Sequence, residues 1–292
     1  MASACGIGAV RSVRASRPVT RPESCPMKFL PVLAALGLAL GTVSARAETL
    51  KIGTVPGAYS DAANVAAREA KAEGLDVQVI EFSDWTTPNV ALDAGDVDVN
   101  FFQHRPFMEN AAKQKGYQFA IVGLGILQNI GLYSLRHKSF DAIPVGGSVA
   151  IANDPVNQGR ALLLLQKAGL IKLKDGVGFL GTLDDITENP KKLKFTEVEG
   201  PQLVRITRDV DLAQGYPHFI VASGSFDPTS GLIYSGIEDK LFAVSFVTKA
   251  SRKDDPAIAK FVKLFQSSEA VKQQIRKSFA NSDKLYVLAW QN

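Results

Sequence analysis

The stretch VDVNFFQHRPFMENAAKQKG, residues 97–116, changes its period partway along, and that change sets the fold class. Val97 to Phe102 mixes apolar and polar residues as a strand does. From Arg105 the pattern is helical: Pro106 stands near the start, where its missing N–H is harmless, and Gly116 closes the end. The FFQH segment therefore falls at the carboxyl end of a strand and just before a helix N-terminus. In α/β sheets ligands collect beyond such strand ends. Phe102, His104 and Phe107 would there form an aromatic wall with one polar tip. Such a wall suits an apolar body or a sulfur atom, and a histidine N–H can donate to a carboxylate. On pattern alone, a core of phenylalanines with His104 as a helix-start residue weighs equally.

Outward from this stretch the same alternation repeats. TLKIGTV (49–55) reads as a strand, followed by the alanine-rich helix DAANVAAREAKAEG (61–74) with Ser60 as its N-cap. LDVQVIEF (75–82) is a second strand, TPNVALDAG (87–95) a short helix, and FAIVGLG (119–125) a further strand. This is the grammar of βαβ units on a mostly parallel sheet. A second α/β region holds the strand SVAIAN (148–153) and the helix VNQGRALLLLQKAG (156–169), introduced by Asp154-Pro155. VGFLGT (177–182), LKFTEVE (193–199) and DVDLA (209–213) read as strands. The tail returns to a strand, FAVSFVTKA (242–250), and to one or two amphipathic helices over 255–279. A third α/β section so late in the chain predicts two lobes that exchange segments, as in a bilobed receptor closing on its ligand.

Two more residues draw notice at strand and helix ends. Trp85, in EFSDWTTPN (81–89), sits at the end of the neighbouring strand and either joins the aromatic wall or covers a sheet edge. Arg160, in NDPVNQGR (153–160), lies one turn into a helix of the other lobe. Arginine clamps a carboxylate through two parallel hydrogen bonds, and the helix N-terminus assists an anion. A solvated arginine on an exposed helix is the commoner meaning of that pattern.

Composition narrows the class. The chain has 292 residues, 46% hydrophobic and 21% charged, with a formal net charge of +4. Residues 27–47, MKFLPVLAALGLALGTVSARA, have the layout of a secretory signal peptide with cleavage after Ala47; an N-terminal membrane anchor is the alternative. Residues 1–26 read as a non-native or untranslated leader, or else as an arginine-rich transit sequence. Six basic residues and one acid lie in 1–47, which leaves 27 basic and 28 acidic residues beyond. The basicity thus belongs to the leader, and no nucleic-acid footprint remains. Cys5 and Cys25 also lie upstream, so the mature chain is expected to have no disulfide, thiolate nucleophile or cysteine metal site. Glu48 and Thr49 stand where a lipoprotein would carry its anchor cysteine. A freely diffusing periplasmic protein, not a lipoprotein, is the expectation.

Motifs of catalysis are missing from the mature sequence: there is no HExxH, G-x-S-x-G, P-loop or dinucleotide fingerprint, and no cofactor is expected. A small periplasmic hydrolase or lyase using His104 as general base is the enzyme alternative. It lacks an oriented nucleophile and an oxyanion site.

Three longer phrases, EFSDWTTPNVALDAGDVDVNFFQHRPFM (81–108), IANDPVNQGRALLLLQKAGLIKLKDGVG (151–178) and DDITENPKKLKFTEVEGPQLVR (184–205), resemble the methionine-binding NlpA lipoprotein family. The resemblance runs from about Leu50 to about Phe279. It implies a two-lobe α/β periplasmic-binding-protein fold with a ligand cleft between lobes. Lobe 1 would hold 48–136 plus 247–292, and lobe 2 would hold 137–246. It also implies a receptor for methionine or a related small carboxylate-bearing apolar solute, docking on the permease and ATPase of an ABC importer. Phe102 and His104 match the family's ligand-contacting pair, and Arg160 matches the arginine that grips the carboxylate. Trp85 and Phe107 stand where the family usually has tyrosine. At two places where the family carries a ligand-contacting asparagine, this chain has Tyr216 or His218 and then Val244.

Overall fold

Strand β1 (Leu50–Thr54) turns through Gly57, at φ 96°, into helix α1 (Ala58–Ala72). Strand β2 (Val77–Glu81) and helix α2 (Thr87–Ala94) follow, then β3 (Val99–His104), α3 (Arg105–Lys115) and β4 (Phe119–Leu124). The computed structural model describes residues 49–291, so the leader, the signal segment and both cysteines lie outside the described residues.

Short strands β5 (Ile126–Gln128) and β6 (Gly131–Tyr133) lead to β7 (Ser148–Ala152) and helix α4 (Pro155–Lys167). Next come β8 (Lys172–Leu173), β9 (Ile186–Glu188), β10 (Lys194–Val198), α5 (Leu203–Ile206), β11 (Leu212–Gly215), α6 (Pro217–Ser223) and β12 (Ile233–Tyr234). Strand β13 (Val244–Lys249), helices α7 (Pro256–Ser267) and α8 (Glu269–Ser278), and β14 (Tyr286–Leu288) complete the chain.

Two five-stranded sheets result, ordered β2-β1-β3-β13-β4 and β10-β7-β11-β6-β12. In each, three neighbouring strands are paired in parallel, as the βαβ pattern predicts, a fourth shares their direction, and a single strand between, β13 or β6, runs against both its neighbours. The sheets are mixed because the chain visits one lobe, crosses to the other and returns, so the returning strand β13 runs against β3 and β4. Strand pairing passes to the second sheet between Gln128 and Gly131 and comes back between Tyr234 and Val244. Both crossings precede the positions read from the sequence, because strands of two or three residues carry no legible period.

Local rules explain the helix starts that matter. His104 caps α3, its Nδ1 accepting from the Phe107 N–H at 3.3 Å, and Asp154 caps α4, accepting from the Asn157 N–H at 2.9 Å. A proline follows each cap, where it costs no hydrogen bond. Ser60 is not a cap: Gly57 holds the N-cap position of α1, and the Ser60 hydroxyl donates back to the Gly57 carbonyl. Nor is VGFLGT a strand. Gly178, at φ 60°, turns the backbone into a short 3-10 helix that lies against Gly159, where any Cβ would overlap the Phe179 carbonyl.

The FF pair divides its work. Phe101 is wholly buried, stacked on Phe246 at 4.1 Å and set edge-on to Phe265 in the core beneath α1, α7 and α8. The ladder pairs Phe101 with Phe246 and Gln103 with Ser245, skipping Phe102. That bulge re-aims the strand end toward the other sheet, as bulges beside sites commonly do.

Candidate functional site

At the carboxyl ends of β1 to β3, rings from both lobes converge on one cavity. Trp85 follows β2, Phe102 and His104 end β3, and Phe107 opens α3. Trp85 meets Phe107 edge-on at 6.3 Å, and Phe102 meets the same ring at 5.9 Å. From the second lobe Tyr216, at the start of α6, meets the Trp85 ring at 5.2 Å. The indole lies directly over Gly200, where a Cβ would overlap its six-membered ring. Only glycine lets that ring come so close.

Arg160 closes the far wall. It sits about a turn and a half along α4 and is only 8% exposed. Its guanidinium lies 4.3 Å from the centroid of the Phe242 ring, a cation–π contact, and donates to Asn157 Oδ1 at 3.2 Å. Among the described residues no carboxylate forms a salt bridge with it. Burial pulls its pKa down, while Tyr216, Asp154, Tyr59 and Asp239 oppose this. A buried cation without an anionic partner is costly, and a ligand anion is the group that would relieve it.

His104 is held neutral. Its pKa falls to about 3, through burial first and the nearby Arg160 charge second. Nδ1 accepts from the Phe107 N–H, so Nε2 carries the proton and faces Asn157 Oδ1 at 3.2 Å. Asn157 thus receives a donor from each lobe. Its own amide donates back to the Asp154 cap, which fixes its orientation.

Seven of the eight residues singled out in the sequence line this cavity: Trp85, Phe102, His104, Phe107, Arg160, Tyr216 and Val244. The eighth, His218, does not. Its ring packs tilted against Phe219 at 3.9 Å and Tyr59 at 4.8 Å, and its Nδ1 lies 2.7 Å from Gln128 Oε1. Burial lowers its pKa to about 3, and Nε2 has no partner among the described residues. Two residues, about half a helical turn, carry the side chain behind Tyr216 toward α1, so it reaches the cavity only through Gln128.

Sequence reasoning missed Asn157, Gln128, Gln103 and Phe242. Asn157 was within reach, three residues before Arg160 on one helix face. Phe242 ends a 3-10 turn, Lys240–Phe242, where the pattern of FAVSFVTKA predicts the start of a strand, and that turn swings its ring into the cavity. It also divides two spaces: the cavity between the lobes measures about 20 Å³, and a second, of about 200 Å³, lies beyond Phe242 and Arg160 against Leu127, Leu164 and Asp239. The smaller holds roughly one water, so a solute of several heavy atoms enters only when the lobes part or Phe242 moves.

Two sheets bridged by short crossings, with buried polar and aromatic groups converging between them, define a two-lobe substrate-binding protein. The NlpA lipoprotein family model matches residues 50–287, and the chain belongs to that family. The D-methionine-binding lipoprotein MetQ of Escherichia coli O157:H7 is 43% identical over 222 residues, 75% of this chain and 82% of the relative. A crystal structure of the methionine-binding protein MetQ superposes with a TM-score of 0.77 at 40% identity, covering 84% of this chain and 99% of that one. A nutrient-binding protein from Burkholderia cenocepacia bound to methionine gives 0.76 at 41% identity, covering 81% and 98%.

These relatives overturn one expectation. The family is one of lipoproteins and the relatives are named so, which conflicts with a chain that is not a lipoprotein. The reading had rested on one cysteine missing beside Ala47. That is an argument from absence, in a stretch outside the described residues.

Proposed function

We propose that this chain is the substrate-binding component of an ABC importer and collects methionine or a related small solute with a carboxylate and an apolar body. The observation that carries the reading is Arg160: a guanidinium buried between two lobes, walled by rings and unpaired with any acid among the described residues. In this role Arg160 grips the carboxylate, while Trp85, Phe102, Phe107 and Tyr216 enclose the apolar body. Asn157 ties the closed lobes together through His104. Closure would then present the surface that the transporter's permease and ATPase assembly reads.

On this reading His104 binds and does not catalyse. A general base needs a free lone pair, and the Nδ1 lone pair is taken by the Phe107 N–H. Among the described residues, no serine, cysteine or carboxylate lines the cavity to serve as nucleophile.

Native mass spectrometry of the protein purified without refolding tests the proposal. The expected result is a co-purified small acid whose mass increment vanishes in Arg160→Ala. A protein that carries no such increment, and that titrates with no small carboxylate in calorimetry, sinks it.

A further inference from the structure

We infer that the cleft selects a deaminated carboxylate, a 2-oxo acid with an unbranched apolar or thioether body, over the corresponding amino acid. The inference rests on the receptor reading above and names the solute class of that same site.

The warrant is a hydrogen-bond account of the cavity wall. Each side-chain acceptor there already has a protein donor, and Asn157 Oδ1 has two. Asn157 Oδ1 receives both His104 and Arg160. Gln128 Oε1 faces the His218 Nδ1–H, and if the amide is turned over it faces the Tyr59 hydroxyl instead. Gln103 Oε1 accepts from Asn89. The His104 lone pair belongs to Phe107 N–H. Among the described residues no Asp or Glu lines this space; half-buried Asp154 uses both carboxylate oxygens on Asn157, and Glu238 and Asp239 line only the space beyond Phe242.

Donors, by contrast, are in surplus. Arg160 uses one N–H on a described side chain and keeps four. The Tyr216 oxygen accepts from Gln214 at 3.2 Å, which leaves its own O–H to give. The Trp85 indole N–H has no partner among the described residues. At Val244, where the resemblance implies an asparagine, the wall offers only methyl groups.

An α-ammonium brings three N–H donors and a positive charge into a wall of donors beside a guanidinium. It finds no anionic acceptor and no side-chain acceptor free of a protein donor, and a polar group buried poorly paired loses solvation that it does not recover. A 2-oxo group reverses this. It brings an acceptor to Tyr216 O–H while the carboxylate still faces Arg160. Discrimination by an unpaired polar group is the stronger kind a site can make.

Isothermal titration of the full protein, dialysed free of co-purified solute, compares 4-methylthio-2-oxobutanoate with L- and D-methionine. The expected result is at least tenfold tighter binding of the oxo acid, and Tyr216→Phe narrows that ratio. Methionine binding as tightly as the oxo acid, or more tightly, overturns this inference and leaves the receptor reading standing. A folded protein that binds neither overturns both.

Discussion

His104 at the end of β3 and Asn157 in the first turn of α4 meet at 3.2 Å, and the same Asn157 oxygen holds Arg160. One amide thus couples lobe closure to the placement of the anion grip. Removing it leaves a buried imidazole N–H and a guanidinium N–H unpaired at once. Asn157→Ala is therefore expected to weaken solute binding by about 1–3 kcal/mol, roughly one to two decades. Calorimetry on wild type and variant decides it; an unchanged Kd would show that Arg160 is oriented by something else.

Arg160 itself sets function against stability. Its charge is buried without a direct salt bridge among the described residues, Asp154 and Asp239 acting on it only from outside contact distance, and Phe242 and Asn157 lie against it. Replacing a buried charge with an apolar side chain of similar length commonly stabilises a fold. Arg160→Met should abolish solute binding and raise the melting temperature of the unliganded protein, by about 2–4 °C per kcal/mol gained. A melting temperature below wild type would mean that the guanidinium is already well satisfied.

How far the sequence reached depended on how local each determinant was. His104 and Asp154 as caps, with Pro106 and Pro155 behind them, involve contacts within three residues, and so β3–α3 and β7–α4 were readable. Arg160 was readable by its place near a helix start, but its burial was not, because Phe242 arrives from a distant part of the chain. The bulge at Phe102 left no mark either: it depends on β13 pairing across the sheet. His218 misled for the opposite reason. It stands two residues from Tyr216, yet about half a turn of α6 points it at Tyr59 and away from the cavity.

Trp85 offers a reporter for closure. Its ring lies on Gly200 of the other lobe, so the approach needs a residue without a side chain there. Gly200→Ala should hold the lobes apart and cut affinity tenfold or more while leaving the separate cores intact. In a Trp290→Phe background only Trp85 fluoresces. Its emission should shift on solute addition when Gly200 is kept, and stay still when Gly200→Ala is added to that background. Equal shifts in both proteins would place the contact outside the closing motion.

The two buried histidines make stability depend on pH in a stated direction. His104 and His218 have pKa values near 3 in the folded protein, both through burial, against an ordinary value of 6.5. Between those limits the unfolded chain binds protons that the folded chain refuses, so stability rises with pH and is lost as pH falls from 6.5 toward 3. Each histidine contributes a slope of up to about 1.4 kcal/mol per pH unit in that window. Urea unfolding should show the wild type losing at least about 2 kcal/mol between pH 7 and 4.5. In His104→Gln/His218→Gln the loss should shrink markedly, since glutamine does not titrate. If the double variant follows the wild-type curve, carboxylates elsewhere govern the acid limb, and these histidines are protonated without unfolding.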